Sequence, residues 1–135
     1  MEPRLAAILV ADIAGYTRLM EAYEFGTHRR LSTLREETIA SALKDLRGCV
    51  IKHTGDGFIA VFVSVNDAVR CAIRIQQAVH KCERDIPAEQ RIRFRMGVNV
   101  GDVIIDVVGG ICGILWMYWY CRGTLDPLTS RIRKI

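Results

Sequence analysis

LAAILVADIAGYTRLM, residues 5–20, joins two periodicities at one acidic residue. Its first part, Leu5 to Ala11, is a short unbroken apolar run, and a strand that is apolar on both sides belongs in the middle of a sheet. From Tyr16 the apolar residues recur at helical spacing, through Leu19, Met20 and Tyr23. Asp12 therefore stands where a buried strand gives way to a helix. The residues between, Ile13, Ala14, Gly15, Tyr16 and Thr17, open that helix, whose unpaired amides and positive dipole end favour phosphate oxygens. Gly15 would let the phosphates approach closely.

Working outward, the helical spacing continues through Leu31, Leu34, Ile39, Leu43 and Leu46, with a break expected near Gly26 and a left-handed cap at Gly48. Cys49 to Ile51 and Phe58 to Val63 are apolar, partly β-branched segments on either side of His53-Thr54-Gly55-Asp56-Gly57, which reads as a hairpin. Asn66 or Asp67 is placed to cap a second helix that buries Ala68, Ala72, Ile75, Ala78 and Val79. Residues 83–90 read as a polar surface loop. Beyond it, Ile92, Phe94, Met96 and Val98 alternate onto one face of a strand, and residues 103–108 make another strand after Gly101-Asp102. The order predicts an α+β fold, a ferredoxin-like βαββαβ sheet with helices on one face, incomplete at its C-terminus.

Composition bounds the function. A chain of 135 residues with 50% hydrophobic and 25% charged residues suits one globular domain. The net charge of +4 is spread among acids without a basic run, so nucleic acid is not supported as a partner. Five cysteines, odd in number and without metal-ligand spacing, read as reduced thiols of a cytoplasmic protein. The N-terminus does not read as a signal peptide.

Asp12 and Asp56 are the chemical signal. In a βαββ unit the first strand commonly lies beside the hairpin, so both carboxylates are expected at one edge of the sheet. Paired carboxylates on rigid elements suit magnesium, a hard ion that prefers oxygen and bridges phosphates. On the residues alone, Asp12 also reads as a helix N-cap and Asp56-Gly57 as a bare hairpin turn.

Four strings, LAAILVADIAGYTRLM, CVIKHTGDGFIAVF, DAVRCAIRIQQA and RFRMGVNVGDVI, resemble in order and spacing the bacterial class III adenylyl and guanylyl cyclase family, over approximately residues 4 to 113. The resemblance implies that Asp12 and Asp56 bind two divalent ions, Mg2+ or Mn2+, with the backbone carbonyl of Ile13. It implies that Ala14, Gly15, Tyr16 and Thr17 hold the triphosphate. It also implies that Lys52 reads the purine edge, which favours ATP over GTP. Family members pair head to tail, so a homodimer or a pairing with another cyclase domain is expected, forming cyclic AMP and pyrophosphate for intracellular signalling.

Residues 1–113 are expected to form one partial domain of this kind, and 114–135 a divergent tail. The asparagine and arginine expected to orient the ribose and stabilise the transition state have no counterpart, and neither Arg122 nor Arg131 has the motif around it. Gly110 stands where ATP-using members often carry an aspartate. A shifted reading frame leads the explanations of the tail, ahead of a divergent strand and a membrane or partner contact. Asp106 and the glycines between Val103 and Tyr120 argue against a membrane span. Weak or lost cyclase activity is therefore expected, with a regulatory pseudocyclase paired to an intact cyclase as the rival reading.

Overall fold

The computed structural model describes the backbone of residues 4–108, 111–116, 124–125 and 132–133, and side chains over residues 5–101. Gly109, Gly110, Arg122 and Arg131, with most of the tail, lie outside the described residues. Strand β1 (Arg4–Ile13) leads into helix α1 (Tyr16–Thr33), which continues through a π-helical turn at Leu34–Ile39 into α2 (Ala40–Asp45). The hairpin is β2 (Cys49–His53) and β3 (Gly57–Phe62), followed by helix α3 (Val65–Cys82). A short 3-10 turn at Ala88–Gln90 precedes β4 (Phe94–Val108), and β5 (Ile111–Trp116), β6 (Thr124–Leu125) and β7 (Ile132–Arg133) complete the order.

The sheet runs β2-β3-β1-β4-β6-β7, with β5 paired to β4. Every pairing is antiparallel, and β1 lies between β3 and β4 as its apolar run predicts. One face carries Ala7, Leu9, Ala11, Phe58, Ala60 and Phe62 beneath the helices, all buried. The alanines of β1 and β3 leave room for Leu31, Leu34, Ile75 and Val79 to reach the sheet. The opposite face holds a smaller apolar cluster, Ala6, Ile8 and Val61, with Val10, Cys49, Ile51 and Ile59 partly buried around it. No helix among the described residues is long and apolar enough to cross a membrane.

Several local expectations are corrected. The two strands expected at 92–99 and 103–108 are one, because Gly101 and Asp102 stay in register opposite Ala6 and Leu5 and the ladder never breaks. The helical break falls at Tyr23, with φ −142° and ψ 46°, and not at Gly26. Helix α3 is capped by Ser64, whose hydroxyl accepts from the Asp67 amide at 3.3 Å, and not by Asn66 or Asp67. Within that helix Cys71 is fully buried, and burial pushes its thiol up to about 11, which leaves it unreactive. Residue 83 is no surface residue: Glu83 is buried, takes Arg30 Nε at 3.1 Å and accepts the Ile92 amide at 3.1 Å, tying α1 to the approach of β4.

At the end of α2 the left-handed residue is Arg47, with φ 60°, while Gly48 serves a different need. A β-carbon on Gly48 would stand 2.6 Å from the Phe62 ring and 2.8 Å from Leu43. Gly48→Ala is accordingly expected to lower stability by about 1–3 kcal/mol through overpacking. Arg47→Gly should raise it by roughly 0.5–1 kcal/mol by relieving the left-handed backbone. Opposite shifts of the thermal midpoint for the two variants check both statements.

Candidate active site

Strand register assembles the site. Asp12, one residue from the end of β1, faces Gly57 on β3 and Arg95 on β4. Asp56 immediately precedes Gly57, so the two acids meet at one edge of the sheet from adjacent strands. Close approach makes this possible: a β-carbon on residue 57 would stand 1.8 Å from the Ala11 carbonyl oxygen and 2.8 Å from the Asp12 Cα. Gly57 is therefore a glycine for packing and not for turn conformation, since among the described glycines only Gly15 has positive φ.

Asp12 does not cap α1. That position belongs to Gly15, in the left-handed region with φ 64° and ψ 33°, and it makes no side-chain cap. The Asp12 carboxylate instead accepts two hydrogen bonds from Arg95, Nε to Oδ1 at 2.9 Å and the terminal nitrogen to Oδ2 at 2.9 Å. Side chains alternate along a strand, so Asp12 and Arg95 share the face away from the helices, opposite to Ala11, Phe94 and Met96. The hydrogen bond to Asp12 holds the Arg95 pKa up, aided by the charge of Asp12 and, more weakly, that of Asp56. The field of both acids converges on this guanidinium. The pair is solvent-accessible, with Arg95 60% exposed, so it contributes little to stability and can be exchanged for another ligand.

Around this pair the backbone is fixed. The Ala14 amide donates to the Arg93 carbonyl at 2.8 Å, and the Leu19 amide donates to Gly15 at 3.0 Å. The amides of Tyr16, Thr17 and Arg18, at the first turn of α1, have no intrahelical acceptor. Ile13 is buried beneath the turn, and Thr17 is exposed. In the hairpin the Thr54 amide donates to the Gly57 carbonyl at 2.9 Å, and the Thr54 hydroxyl donates to Asp56 Oδ1 at 3.4 Å. Lys52 is exposed on the outer strand β2, opposite Ile59, which itself faces Val10. It thus lies on the same open face as Asp12, two strands away.

The donor set fits a hard divalent cation. Among the described residues no group of three or more His, Cys, Asp or Glu side chains comes together, so two carboxylates are the protein's side-chain offer. Backbone carbonyl, water and phosphate oxygens would complete the shell, which is how magnesium is commonly held beside a phosphorylated substrate. Asp12 is already paired with one cationic group, the guanidinium of Arg95. The sequence points to Asp12, Asp56, the 13–17 turn and Lys52, and the structure adds Arg95. The alternation of RFRM puts Arg93 and Arg95 on the face of Asp12, and only the register of β1 against β4 selects Arg95.

Known proteins are similar to this chain over most of its length. The family model of the adenylate and guanylate cyclase catalytic domain matches residues 4–121. A protein of Rhizobium meliloti (strain 1021) whose name, adenylate cyclase 3, is itself provisional is 44% identical over 103 residues, spanning 76% of this chain and 18% of that protein. An adenylate cyclase of Anabaena cylindrica is 32% identical over 114 residues, spanning 78% of this chain and 23% of that protein. The crystal structure of an adenylate/guanylate cyclase/hydrolase from Silicibacter pomeroyi is 44% identical with a TM-score of 0.70, covering 82% of this chain and 63% of that one. The chain thus spans under two thirds of that solved relative and about a fifth of the two curated ones.

If Arg95 competes with metal for Asp12, Arg95→Ala should bind Mn2+ alone more tightly, by roughly threefold to tenfold, since a neighbouring positive charge is removed. Titration calorimetry without nucleotide checks this, and weaker binding would contradict it.

Proposed function

The chain belongs to the adenylate and guanylate cyclase catalytic domain family, and from that membership we propose that it binds Mg-ATP on the open face of the sheet beside Asp12. The observation that carries this reading is the register that sets Asp12 beside Gly57, the residue next to Asp56, with the guanidinium of Arg95 on Asp12. Asp12, Asp56 and the Ile13 carbonyl would hold two Mg2+ or Mn2+ ions. Such ions supply Lewis-acid stabilisation of the triphosphate and lower the pKa of the ribose 3′-hydroxyl.

The remaining residues bind and orient. Amides at the start of α1, reached past Gly15, take phosphate oxygens. Arg95 is released from Asp12 and turns to the triphosphate, a bidentate ligand for its planar fork. Lys52 donates to an adenine ring nitrogen, a contact that guanine's donor-bearing edge rewards less, so ATP is preferred over GTP. In the reaction the ribose 3′-oxygen bonds to the α-phosphorus, the bond to pyrophosphate breaks with its electron pair leaving on pyrophosphate, and the hydroxyl proton passes to solvent water, giving 3′,5′-cyclic AMP.

The open face also supports pairing. Val10, Ile59 and Ile51 are only partly buried around Ile8 and Val61. A copy of this chain or an intact relative would cover this face, but only an intact relative would supply the ribose-orienting and charge-stabilising groups that residues 114–135 lack. We therefore infer little or no turnover by the chain alone. The second reading, a regulatory pseudocyclase that lends its metal half-site to a partner, rests on the same absence.

Asp12→Asn and Asp56→Asn are expected each to reduce Mn2+-dependent ATP binding by at least about tenfold, as loss of a charged ligand would. Unchanged binding in both contradicts the site. Mixed with an intact relative stripped of its two metal-binding aspartates, this chain should restore cyclic AMP production. Turnover by the chain alone would refute the impaired reading.

A further inference from the structure

The turn that carries Asp56 is braced from behind by a residue outside the site. Between α1 and α2 the helix widens to π spacing over Leu34–Ile39, and both end residues of that segment are buried in the core. Segments of this kind often accompany functional positions. Arg35 projects from this widened turn, and its terminal nitrogen donates to the carbonyls of Thr54 at 3.1 Å and Gly55 at 2.9 Å. These are the two peptide carbonyls immediately before Asp56.

The other hydrogen bonds of the turn, from the Thr54 amide to Gly57 and from the Thr54 hydroxyl to Asp56, lie within the hairpin itself. A β-carbon built on Gly55 meets nothing within 4 Å, so the tip is unpacked. Arg30 and Arg91 make similar contacts to carbonyls, but of Gln90, Ile86 and Arg84, on the approach to β4. Beside Arg35 lies a cavity of about 450 Å³ lined by Glu36, Leu43, Val50 and His53, with room for a small solute.

We propose that Arg35 is a positioning residue for the metal-binding carboxylate of Asp56, acting through the Thr54 and Gly55 carbonyls and not by contact with metal or nucleotide. The inference rests on the proposed metal site and adds to it. It makes a prediction of definite sign. Removing a positive charge near a cation site should tighten cation binding if the charge acts only through space. Loss of a brace should weaken it.

The test uses the full chain and Mn2+ titration, with thermal unfolding in parallel. Arg35→Ala is expected to weaken Mn2+ binding about tenfold, the scale of losing an outer-shell partner. Methylguanidinium at millimolar concentration, entering the adjacent cavity, is expected to restore most of that loss in Arg35→Ala and none of it in Asp56→Asn. Should Arg35→Ala not fold, Arg35→Gln carries the same expectation of weaker binding. Unchanged or tighter Mn2+ binding by a folded variant overturns the proposal, and so does weakening in Arg35→Ala that methylguanidinium leaves in place. A wild-type chain whose Mn2+ binding is absent, or indifferent to Asp12→Asn, removes the metal site itself and this inference with it.

Discussion

Strand β3 passes β1 so closely at Gly57 that no side chain could stand between its Cα and the Ala11 carbonyl. That contact sets the register in which Asp12 faces residue 57, and it brings Asp56 to the same edge of the sheet. A shift of one residue would send Asp12 to the helix-covered face, where Ala11 and Ile13 are buried. The apolar pattern of β1 forbids the shift, because it would also expose Leu9 and Ala11. Core packing and site geometry are thus one constraint: the residues that hold the sheet in register also hold the two acids together.

On that frame the electrostatics divide between two arginines with opposite tasks. Arg95 lies on the open face and neutralises Asp12 directly, so any cation arriving there must displace it. Arg35 lies behind the turn and touches only backbone carbonyls, so its charge is spent on the shape of the hairpin. The apolar cluster around Ile8 and Val61 occupies the same open face.

Much of this was legible in the sequence, for reasons that differ by element. The run Leu5 to Ala11 announced a central strand, and the Ile92 to Met96 alternation gave the buried face of β4, because burial imprints a period on the chain. The pairing of Asp12 with Asp56 followed from the ordinary neighbourhood of β1 and a hairpin. The Asp12–Arg95 pair did not follow, since it depends on register between strands 83 residues apart, which no local pattern records. Glycines misled in a consistent way. By local pattern Gly48 is a left-handed helix cap and Gly57 a turn residue, whereas both are required by the approach of Phe62 or β1, a tertiary fact. The cap at Ser64 and the burial of Glu83 were missed because neighbouring residues offered equally good local chemistry. The π-helical turn that aims Arg35 marks the apolar spacing only as the five-residue step from Leu34 to Ile39, which does not say where Arg35 points.

Anomalous scattering from crystals grown with Mn2+ and ATP would test the central claim most directly. The account predicts manganese within ligand distance of both the Asp12 and Asp56 carboxylates, with Arg95 withdrawn from Asp12. Manganese bound elsewhere, or touching one of the two acids while Arg95 keeps its two hydrogen bonds to Asp12, would contradict it.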